Sequence, residues 1–510
     1  MERSKNTVRN IGWGFIYQIL TLLLPFIIRT IILHILGEEY LGLNSLFASI
    51  LSVLNMAELG FSSAIVFSMY EPIAKDDKDT ICALMAYYRR VYAVVGFVVL
   101  ALGLSIMPFL DKLIKGSHPA DINLYILYGI YLFNAVISYF LFAYKSALLA
   151  AFHRNDISSK ISIAVTIIQH GIQILVLCLW KNYYVYIALL PVATITTNIL
   201  NNHLSIKYYP GYDPKGTLSL DVREKIKKQV KGLMVSKICG TLRNSLDSII
   251  LSAFIGLSVV AMYGNYYYIL NAVHGLLTII GVSMKAGVGN SIIKETKEKN
   301  YQDFEKFTFI YAWLTGWFAC CMLCLYQPFM LVWTGKETMV FSEPIMIMFC
   351  IYFFALCMTD MRNVYMDAIG LWWEARYRSI AESIGNLLLN IGLGYYFGVV
   401  GIILATLITL ITINLGYGTK ILFDNFFRDK KVSRYLLQQL KYFIVTAGVS
   451  GICYCFCEII PFTKYVNIVA RGLACIVIPN VLFTILYMKD KHFQATKEFA
   501  LSRVKAIIRR

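Results

Sequence analysis

Several charged side chains lie within strongly apolar stretches of this 510-residue chain, and the arginines are the most informative. Arg29 lies in the first apolar stretch and Glu58 in the second, while Arg243 and Asp247 are four residues apart in a later one. A guanidinium presents five donors in a planar fork that fits phosphate and carboxylate groups. We therefore predict that Arg29 binds an anion, with pairing to Glu58 as the alternative. Residues four apart share a helical face, so Arg243 either pairs with Asp247 or contributes to the same site.

Other ionisable residues in the apolar stretches have weaker claims to a functional role. Lys145 and Arg362 are candidate partners in the same site. Lys145 and Arg471 also lie near the ends of their stretches, where we expect the long side chains to reach lipid headgroups. Three carboxylates are expected near exposed helix ends rather than in a proton relay: Asp360, Asp367 and Glu382.

The twelve cysteines and seven histidines give no pattern typical of a metal site. Helical residues two positions apart point to different sides, so Cys455 cannot join Cys453 and Cys457 in a compact thiolate set. A cysteine buried among apolar side chains behaves as a small hydrophobic residue. Glycine-rich phosphate-binding motifs are absent from the sequence. The sequence predicts no bound metal, no cofactor and no ATP hydrolysis. Six further cysteines and histidines are expected to be packed or hydrogen-bonded rather than to bind a metal: Cys320, Cys321, Cys324, His34, His170 and His274.

The composition indicates which elements position these residues. The chain is 58% hydrophobic and 15% charged, with a mean hydropathy of +0.63, whereas soluble proteins are about 25% charged. Fourteen apolar stretches are long enough to cross the roughly 30 Å hydrocarbon core as helices. The sequence therefore predicts an all-α polytopic membrane protein. The stretches are 11–34, 40–69, 87–110, 121–150, 161–180, 184–206, 230–255, 259–284, 306–333, 344–369, 379–397, 399–423, 439–460 and 467–487.

The basic residues predict the orientation of these helices. The chain has 47 Lys and Arg against 30 Asp and Glu, a formal net charge of +17. If the N-terminus is cytoplasmic, 37 basic residues fall in inside segments and 5 in outside segments. Because cytoplasmic loops retain Lys and Arg, both termini are predicted to be cytoplasmic. The charge excess then reports topology and gives no reason to expect a nucleic-acid partner.

The two halves of the chain are weakly similar at an offset of 222 residues, which is typical of a parallel repeat. We predict an N-terminal six-helix lobe over 1–206, a cytoplasmic linker over 207–229 and a second six-helix lobe over 230–423. Two further helices follow in 424–487. Basic and apolar residues interleave in 488–510, which predicts an amphipathic helix lying on anionic inner-leaflet lipids.

Six short motifs stand out along the chain: LGEEYLG at 36–42, ELGFSSA at 58–64, FHRND at 152–156, DSIILS at 247–252, FIG at 254–256 and YGNY at 263–266. These motifs resemble those of Wzx-type oligosaccharide flippases. This family is the polysaccharide transporter branch of the multidrug/oligosaccharidyl-lipid/polysaccharide exporter superfamily. The resemblance covers nearly the whole chain and agrees with the fourteen predicted helices.

The resemblance implies a MATE-like V-shaped bundle around a cationic cavity, and a flippase rather than an enzyme. Its cargo is an undecaprenyl-diphosphate-linked oligosaccharide repeat unit for capsule, O-antigen or exopolysaccharide synthesis. Carried over to this sequence, Arg29 and Arg243 line the cavity, with Glu58 and Asp247 as acidic neighbours. The implied location is the bacterial cytoplasmic membrane, where a polysaccharide polymerase and glycosyltransferases are the expected partners.

Other functions remain open from the sequence. A multidrug or toxin exporter, or a peptidoglycan-precursor flippase, belongs to the same superfamily. A membrane glycosyltransferase or polysaccharide polymerase is disfavoured because the predicted outside loops are short. A non-transporting scaffold predicts that substitutions of the cavity residues are harmless.

Overall fold

The computed structural model describes residues 2–58, 61–116, 118–459 and 464–498. Helices dominate these residues, and no strand occurs among them. By internal contacts the chain divides into two compact units, Met1–Ala261 and Met262–Arg510. The all-α fold class predicted from the sequence is therefore confirmed.

The first unit contains nine helices and the beginning of a tenth. Short 3-10 turns follow the second and fourth helices, at Asn55–Glu58 and Met107–Leu113. The helices are α1 (Glu2–Ile35), α2 (Glu38–Leu54), α3 (Phe61–Ala74), α4 (Lys78–Ile106), α5 (Leu124–Phe140), α6 (Ala143–Ala151), α7 (Asn155–Leu179), α8 (Tyr183–Tyr208), α9 (Leu220–Phe254) and α10 (Leu257–Lys294), the last of which continues into the second unit.

The second unit is also built from long helices. A π-helical segment, Leu410–Tyr417, joins two of them. The helices are α11 (Lys297–Thr334), α12 (Glu343–Cys357), α13 (Asp360–Ile369), α14 (Arg376–Thr409), α15 (Gly418–Asn425), α16 (Val432–Glu458) and α17 (Lys464–Tyr487).

Among the described residues, nine helical segments are long and apolar enough to cross a membrane. A tenth is added if α5 and α6, which meet at a bend of 54°, form one span. The predicted stretch 40–69 is divided between α2, a 3-10 turn and α3. The predicted stretches 230–255 and 259–284 lie on α9 and α10, which are helical but are not among these segments.

Two predicted spans, 379–397 and 399–423, share one helical segment, Arg376–Asn425. Gly398 breaks it with φ 57° and ψ −131°, a conformation that residues with a Cβ strongly disfavour. The side chains of Asn386 and Thr406 meet across this break, at 3.1 Å. The two legs therefore run antiparallel, as expected for two consecutive spans.

Side-chain caps fix where several helices begin. Asp77 accepts a hydrogen bond from the backbone N–H of Thr80 at the start of α4. Asn182 caps α8 and Thr296 caps α11 in the same way. Such caps satisfy N–H groups that lack a partner within the helix, so these starts are specified locally by the sequence.

The outward faces of several helices are apolar, as a lipid environment requires. Val94 and Phe97 on α4 are 62% and 63% exposed, and Leu473 on α17 is 62% exposed. Water-soluble proteins rarely expose contiguous apolar surface of this kind. The chain is thus a multi-pass membrane protein.

The predicted lobes, linker and additional helices stay predictions. The predicted linker 207–229 separates the sixth span from the seventh, yet α9 packs against α2 and α3 and belongs to the first unit. The basic tail predicted over 488–510 is helical at 491–498, and the rest of it lies outside the described residues.

Candidate functional site

Arg29 lies on α1 at the same level as Ser45 on α2. The two residues are each eight positions from Gly37, which joins the helices with φ 113°. Glycine adopts this backbone conformation readily, so the chain reverses sharply and folds the two helices into a hairpin. The Nη1 of Arg29 reaches the Oγ of Ser45 at 3.5 Å, and the guanidinium is half-buried.

A buried network of neutral polar groups adjoins Arg29. Asn44 accepts a hydrogen bond from the hydroxyl of Tyr131 on α5 at 2.8 Å. Asn44 is also hydrogen-bonded to the hydroxyl of Tyr186 on α8. Tyr186 in turn interacts electrostatically with Arg29. Tyr131 and Tyr186 are 3% and 4% exposed. Because four helices fix these groups, the guanidinium stands beside donors that cannot rearrange freely.

This arrangement suits anion binding and not proton transfer. The guanidinium carries a permanent positive charge and several donors, and the neighbouring hydroxyls add polar groups beside it. Sequence reasoning found Arg29 but missed Asn44, Ser45, Tyr131 and Tyr186. In the sequence these four residues stand out only as neutral polar residues within apolar stretches. That indication is weak, because many such side chains form hydrogen bonds within their own helix.

Glu58 lies away from Arg29. It accepts a hydrogen bond from the hydroxyl of Tyr92 and also bonds to Tyr139. Tyr139 in turn donates to Asn55 at 3.1 Å, on the same 3-10 turn as Glu58. From Ser45 to the end of α2 is about 14 Å along the helix axis, so the structure separates Glu58 from Arg29 and gives it tyrosine partners.

The second predicted arginine, Arg243, lies on α9, and its side chain falls outside the described residues. Its neighbour Asp247 is buried, at 2% exposed. Helix α9 packs against α2, the helix that carries Ser45. The contribution of Arg243 to an anion site remains a prediction.

The expectation for Lys145 was wrong. It does not extend toward headgroups but is 3% exposed and donates to the backbone carbonyl of Tyr212 at 2.8 Å. The cause is the bend between α5 and α6, where Phe142 adopts a left-handed backbone conformation with φ 31°. The bend of 54° redirects α6, on which Lys145 lies.

Arg362 on α13 is fully buried in the second unit. It donates to the backbone carbonyl of Asn414, to the Oδ1 of Asn414 at 2.6 Å and to the Oδ1 of Asn363 at 2.7 Å. The Asn414 amide donates to both oxygens of Glu382, each at 2.8 Å. Arg362 thus joins α13 to the π-helical segment and, through it, to α14.

One carboxylate, Glu382, lies deeper than expected, at 5% exposed within the Arg362 network. Asp360 begins α13 and is partly exposed, as expected for a helix end. Its Oδ2 lies 2.9 Å from His274 and accepts a hydrogen bond from the hydroxyl of Tyr311 at 3.0 Å. The polar partners of both carboxylates lie on other helices, so the sequence of one helix does not reveal them.

Asp367 is partly exposed, as expected for a helix end, and pairs with Lys285 at 2.8 Å. Arg471 does not extend to headgroups, which corrects the expectation for it. It is 7% exposed and pairs with Glu458 at 2.9 Å.

Comparisons with solved structures identify the fold. The structure of the lipid II flippase MurJ in an inward closed conformation aligns with a TM-score of 0.70 and 14% identity, over 94% of this chain and 99% of that chain. An inward-facing multidrug resistance MATE family transporter of the MOP superfamily aligns with a TM-score of 0.60 and 13% identity, over 79% and 94%. A mutant of the Vibrio cholerae MATE transporter VcmN aligns with a TM-score of 0.55 and 13% identity, over 84% and 99%. At these identities the likeness shows the fold alone.

Sequence comparison gives the family. No curated protein sequence matches the chain. A family model described as polysaccharide biosynthesis protein matches residues 7–284, which is more than half of the chain. The predicted relationship to polysaccharide transporters is thereby confirmed. This multi-pass chain, with the fold of MATE and MurJ transporters, belongs to the polysaccharide biosynthesis protein family.

Proposed function

We propose that this protein is a flippase that moves an undecaprenyl-diphosphate-linked oligosaccharide repeat unit from the inner to the outer leaflet. It works by alternating access and serves the synthesis of a surface polysaccharide. Membership of the polysaccharide biosynthesis family supports the pathway, and the transporter fold supports the activity. The protein acts in the bacterial cytoplasmic membrane with both termini inside.

The observation that carries this proposal is the position of Arg29. A half-buried guanidinium lies on α1, in the membrane-spanning segment Ile16–Ile35, beside Ser45 and a buried tyrosine and asparagine network. Such a charge is expensive within a bilayer and marks a functional site. The guanidinium fork fits the oxygens of a diphosphate, which cannot cross hydrocarbon without compensating donors.

The energetics favour outward movement of this cargo. With the cell interior negative, each negative charge moved outward gains about 2.3 kcal/mol per 100 mV. The diphosphate headgroup supplies the charge, and the lipid tail stays in hydrocarbon throughout. Transport therefore proceeds without ATP hydrolysis by this chain.

Arg243 is the second cationic residue of the proposed site, with Asp247 as its acidic neighbour. The proposed partners are anionic inner-leaflet lipids at the basic C-terminal tail, and the polymerase and glycosyltransferases that act on either side of the transport step.

A polysaccharide-producing strain that depends on this protein provides the first test. Arg29→Ala is expected to abolish surface polysaccharide and to cause the lipid-linked repeat unit to accumulate, while the protein remains in the membrane. Arg29→Lys is expected to restore part of the export, since it keeps the charge but not the fork. The matched control is Arg428→Ala, because Arg428 is exposed and bonds only locally, to the carbonyl of Asp424 at 2.9 Å. Normal polysaccharide from Arg29→Ala would contradict the proposed site.

A second candidate cargo is the lipid-linked peptidoglycan precursor, which the fold of the MurJ structure favours. Both cargoes present a lipid diphosphate to Arg29 and differ in the attached sugar. Deletion of a precursor flippase stops growth, whereas deletion of a surface-polysaccharide flippase removes the polysaccharide. The phenotype of the deletion strain therefore separates the two candidates.

A further inference from the structure

Four cysteines on three helices converge in the second unit. Cys320 and Cys324 lie one turn apart on α11, Cys453 lies on α16 and Cys475 lies on α17. Their sulfur atoms all lie within 4.8 Å of one another, and each residue is 0% exposed. We call these four residues the cysteine cluster. Sulfur atoms about 2.3 Å from a tetrahedral Zn²⁺ lie about 3.8 Å from each other. Side-chain rotations that move the sulfur atoms by about 1 Å therefore complete a four-sulfur site.

The surrounding residues fix the three helices at this level. Gly316 lies one turn before Cys320, and a Cβ there would come within 2.7 Å of Thr446 on α16. Trp317 donates its ring N–H to the backbone carbonyl of Cys475 at 2.9 Å. The helices are therefore held together by contacts other than the sulfurs, which leaves the thiols preorganised.

An acidic cavity adjoins the cysteine cluster. It has a volume of about 480 Å³ and is lined by Glu337, Glu343 and Glu458, with Arg471 as the basic residue among them. Tyr454, which also lines this cavity, packs against the cysteine cluster and donates to Glu343 at 3.2 Å. Three carboxylates against one guanidinium attract cations, so the cavity offers an entry path.

Arg471 links the cavity to the cysteine cluster. Its Nη1 contacts the backbone carbonyl of Cys324 at 3.5 Å and pairs with Glu458 at 2.9 Å. A positive charge at this position offsets part of the negative charge that thiolates carry when they bind a metal. Structural metal sites commonly have such compensating groups around their ligands.

We propose that the cysteine cluster binds one thiophilic d¹⁰ cation, Zn²⁺ or Cu⁺, which enters through the acidic cavity and ties α16 and α17 to α11. Thiolate ligands select these ions. Each thiol that binds loses one proton, so four thiols and Zn²⁺ give a site of charge −2 and four released protons. This site is separate from Arg29 and does not depend on the cargo. It departs from the sequence-based expectation of no metal, which considered each helix by itself.

The test compares metal content between two double variants of the full-length protein. Cells are grown with added zinc or copper, and the protein is purified in detergent under reducing conditions. We expect about one Zn²⁺ or Cu⁺ per wild-type chain by elemental analysis, and loss of nearly all of it in Cys453→Ser/Cys475→Ser. The matched control is Cys82→Ser/Cys350→Ser, which changes two buried cysteines outside the cysteine cluster and should retain the metal.

A second measurement covers the case in which the cluster variant does not fold. Co²⁺ added to metal-free wild-type protein is expected to give thiolate-to-metal charge-transfer absorption that saturates at about one equivalent. The proposal is overturned if wild-type protein binds neither metal, if the cluster variant keeps as much metal as the control, or if intact mass shows the four cysteines joined in disulfides.

Discussion

Replacing Arg362 by methionine tests whether its buried network holds the second unit together. Arg362 is 0% exposed and donates to three acceptors, two of them on Asn414. The side-chain amide of Asn414 in turn donates two hydrogen bonds of 2.8 Å to the carboxylate of Glu382. The asparagine amide therefore joins a buried cation to a buried carboxylate.

The expected cost follows from what Arg362→Met leaves behind. The Oδ1 of Asn414 loses its arginine partner, at about 1–3 kcal/mol, while the backbone carbonyl of Asn414 keeps the helical N–H of Gly418. Glu382 also loses one nearby positive charge, while the arginine no longer has to be desolvated. We expect the free energy of unfolding to fall by about 3–5 kcal/mol, the range measured for breaking one side of a buried charge pair.

The assay is equilibrium unfolding of the full-length protein in mixed micelles. Arg428→Met, at an exposed arginine, is the control and should change the free energy by less than about 0.5 kcal/mol. Adding Glu382→Gln to Arg362→Met should cost less than the sum of the single changes, because Arg362 and Glu382 belong to one network joined through Asn414. A loss below about 1 kcal/mol for Arg362→Met, or strict additivity with Glu382→Gln, would refute this reasoning.

Three further perturbations probe other parts of the fold. Gly398→Ala should destabilise the protein by about 1–3 kcal/mol because its backbone conformation disfavours a Cβ, whereas Gly392→Ala, on a regular helix with open space around it, should not; equal thermal stability of the two would contradict the role of Gly398. Lys145→Met should lower the melting temperature, since it leaves a carbonyl without its donor, and an unchanged melting temperature would show that the contact is dispensable. Burial alone would raise the pKa of Asp490, but hydrogen bonds from Lys441 and a backbone N–H outweigh it and hold the pKa below its ordinary value. This interaction stabilises the protein above about pH 3.9, the ordinary carboxyl value, and is lost as the pH falls through the lowered pKa. The stability deficit of Lys441→Met should therefore shrink on acidification, and a deficit that does not depend on pH would contradict this assignment.

The apolar pattern predicted the fold well because a bilayer constrains each helix separately. Stretches of sufficient length appear as helices, and even the Gly398 break falls between two predicted spans. The signal failed where spans bend or divide, as at 40–69, since hydropathy averages over local breaks. The packing of α9 against α2 and α3 was also not visible in the sequence, because packing partners cannot be read from one helix.

Part of the candidate site was visible in the sequence. Arg29 was identifiable because a cation in an apolar stretch is rare. Its neighbours Asn44 and Tyr131 are 87 residues apart in sequence, and no periodicity relates them. The same holds for Cys324 and Cys475, whose sulfurs meet only in the folded unit. Pairings between distant helices are set by tertiary packing, which one sequence does not encode in a local pattern.

The errors on Lys145, Glu382 and Arg471 have a common cause. Each was judged from its distance to the end of an apolar stretch, as though only lipid surrounded it. In the structure each has polar partners: a backbone carbonyl for Lys145, Asn414 for Glu382, and a carboxylate for Arg471. A bundle interior supplies hydrogen bonds that lipid does not, so depth alone misjudges such residues.

Transbilayer movement of a defined cargo by purified protein is the most direct measurement of the proposed activity. Proteoliposomes would contain an undecaprenyl-diphosphate-linked oligosaccharide bearing a fluorescent sugar, and a membrane-impermeant quencher would report its leaflet. We predict that wild-type protein and Arg428→Ala expose the internal fluorophore to the quencher, faster when the potential drives the anion toward it, while Arg29→Ala does not. Flipping by Arg29→Ala at the wild-type rate, or none by the wild-type protein, would contradict the central claim that Arg29 binds the lipid diphosphate during transport.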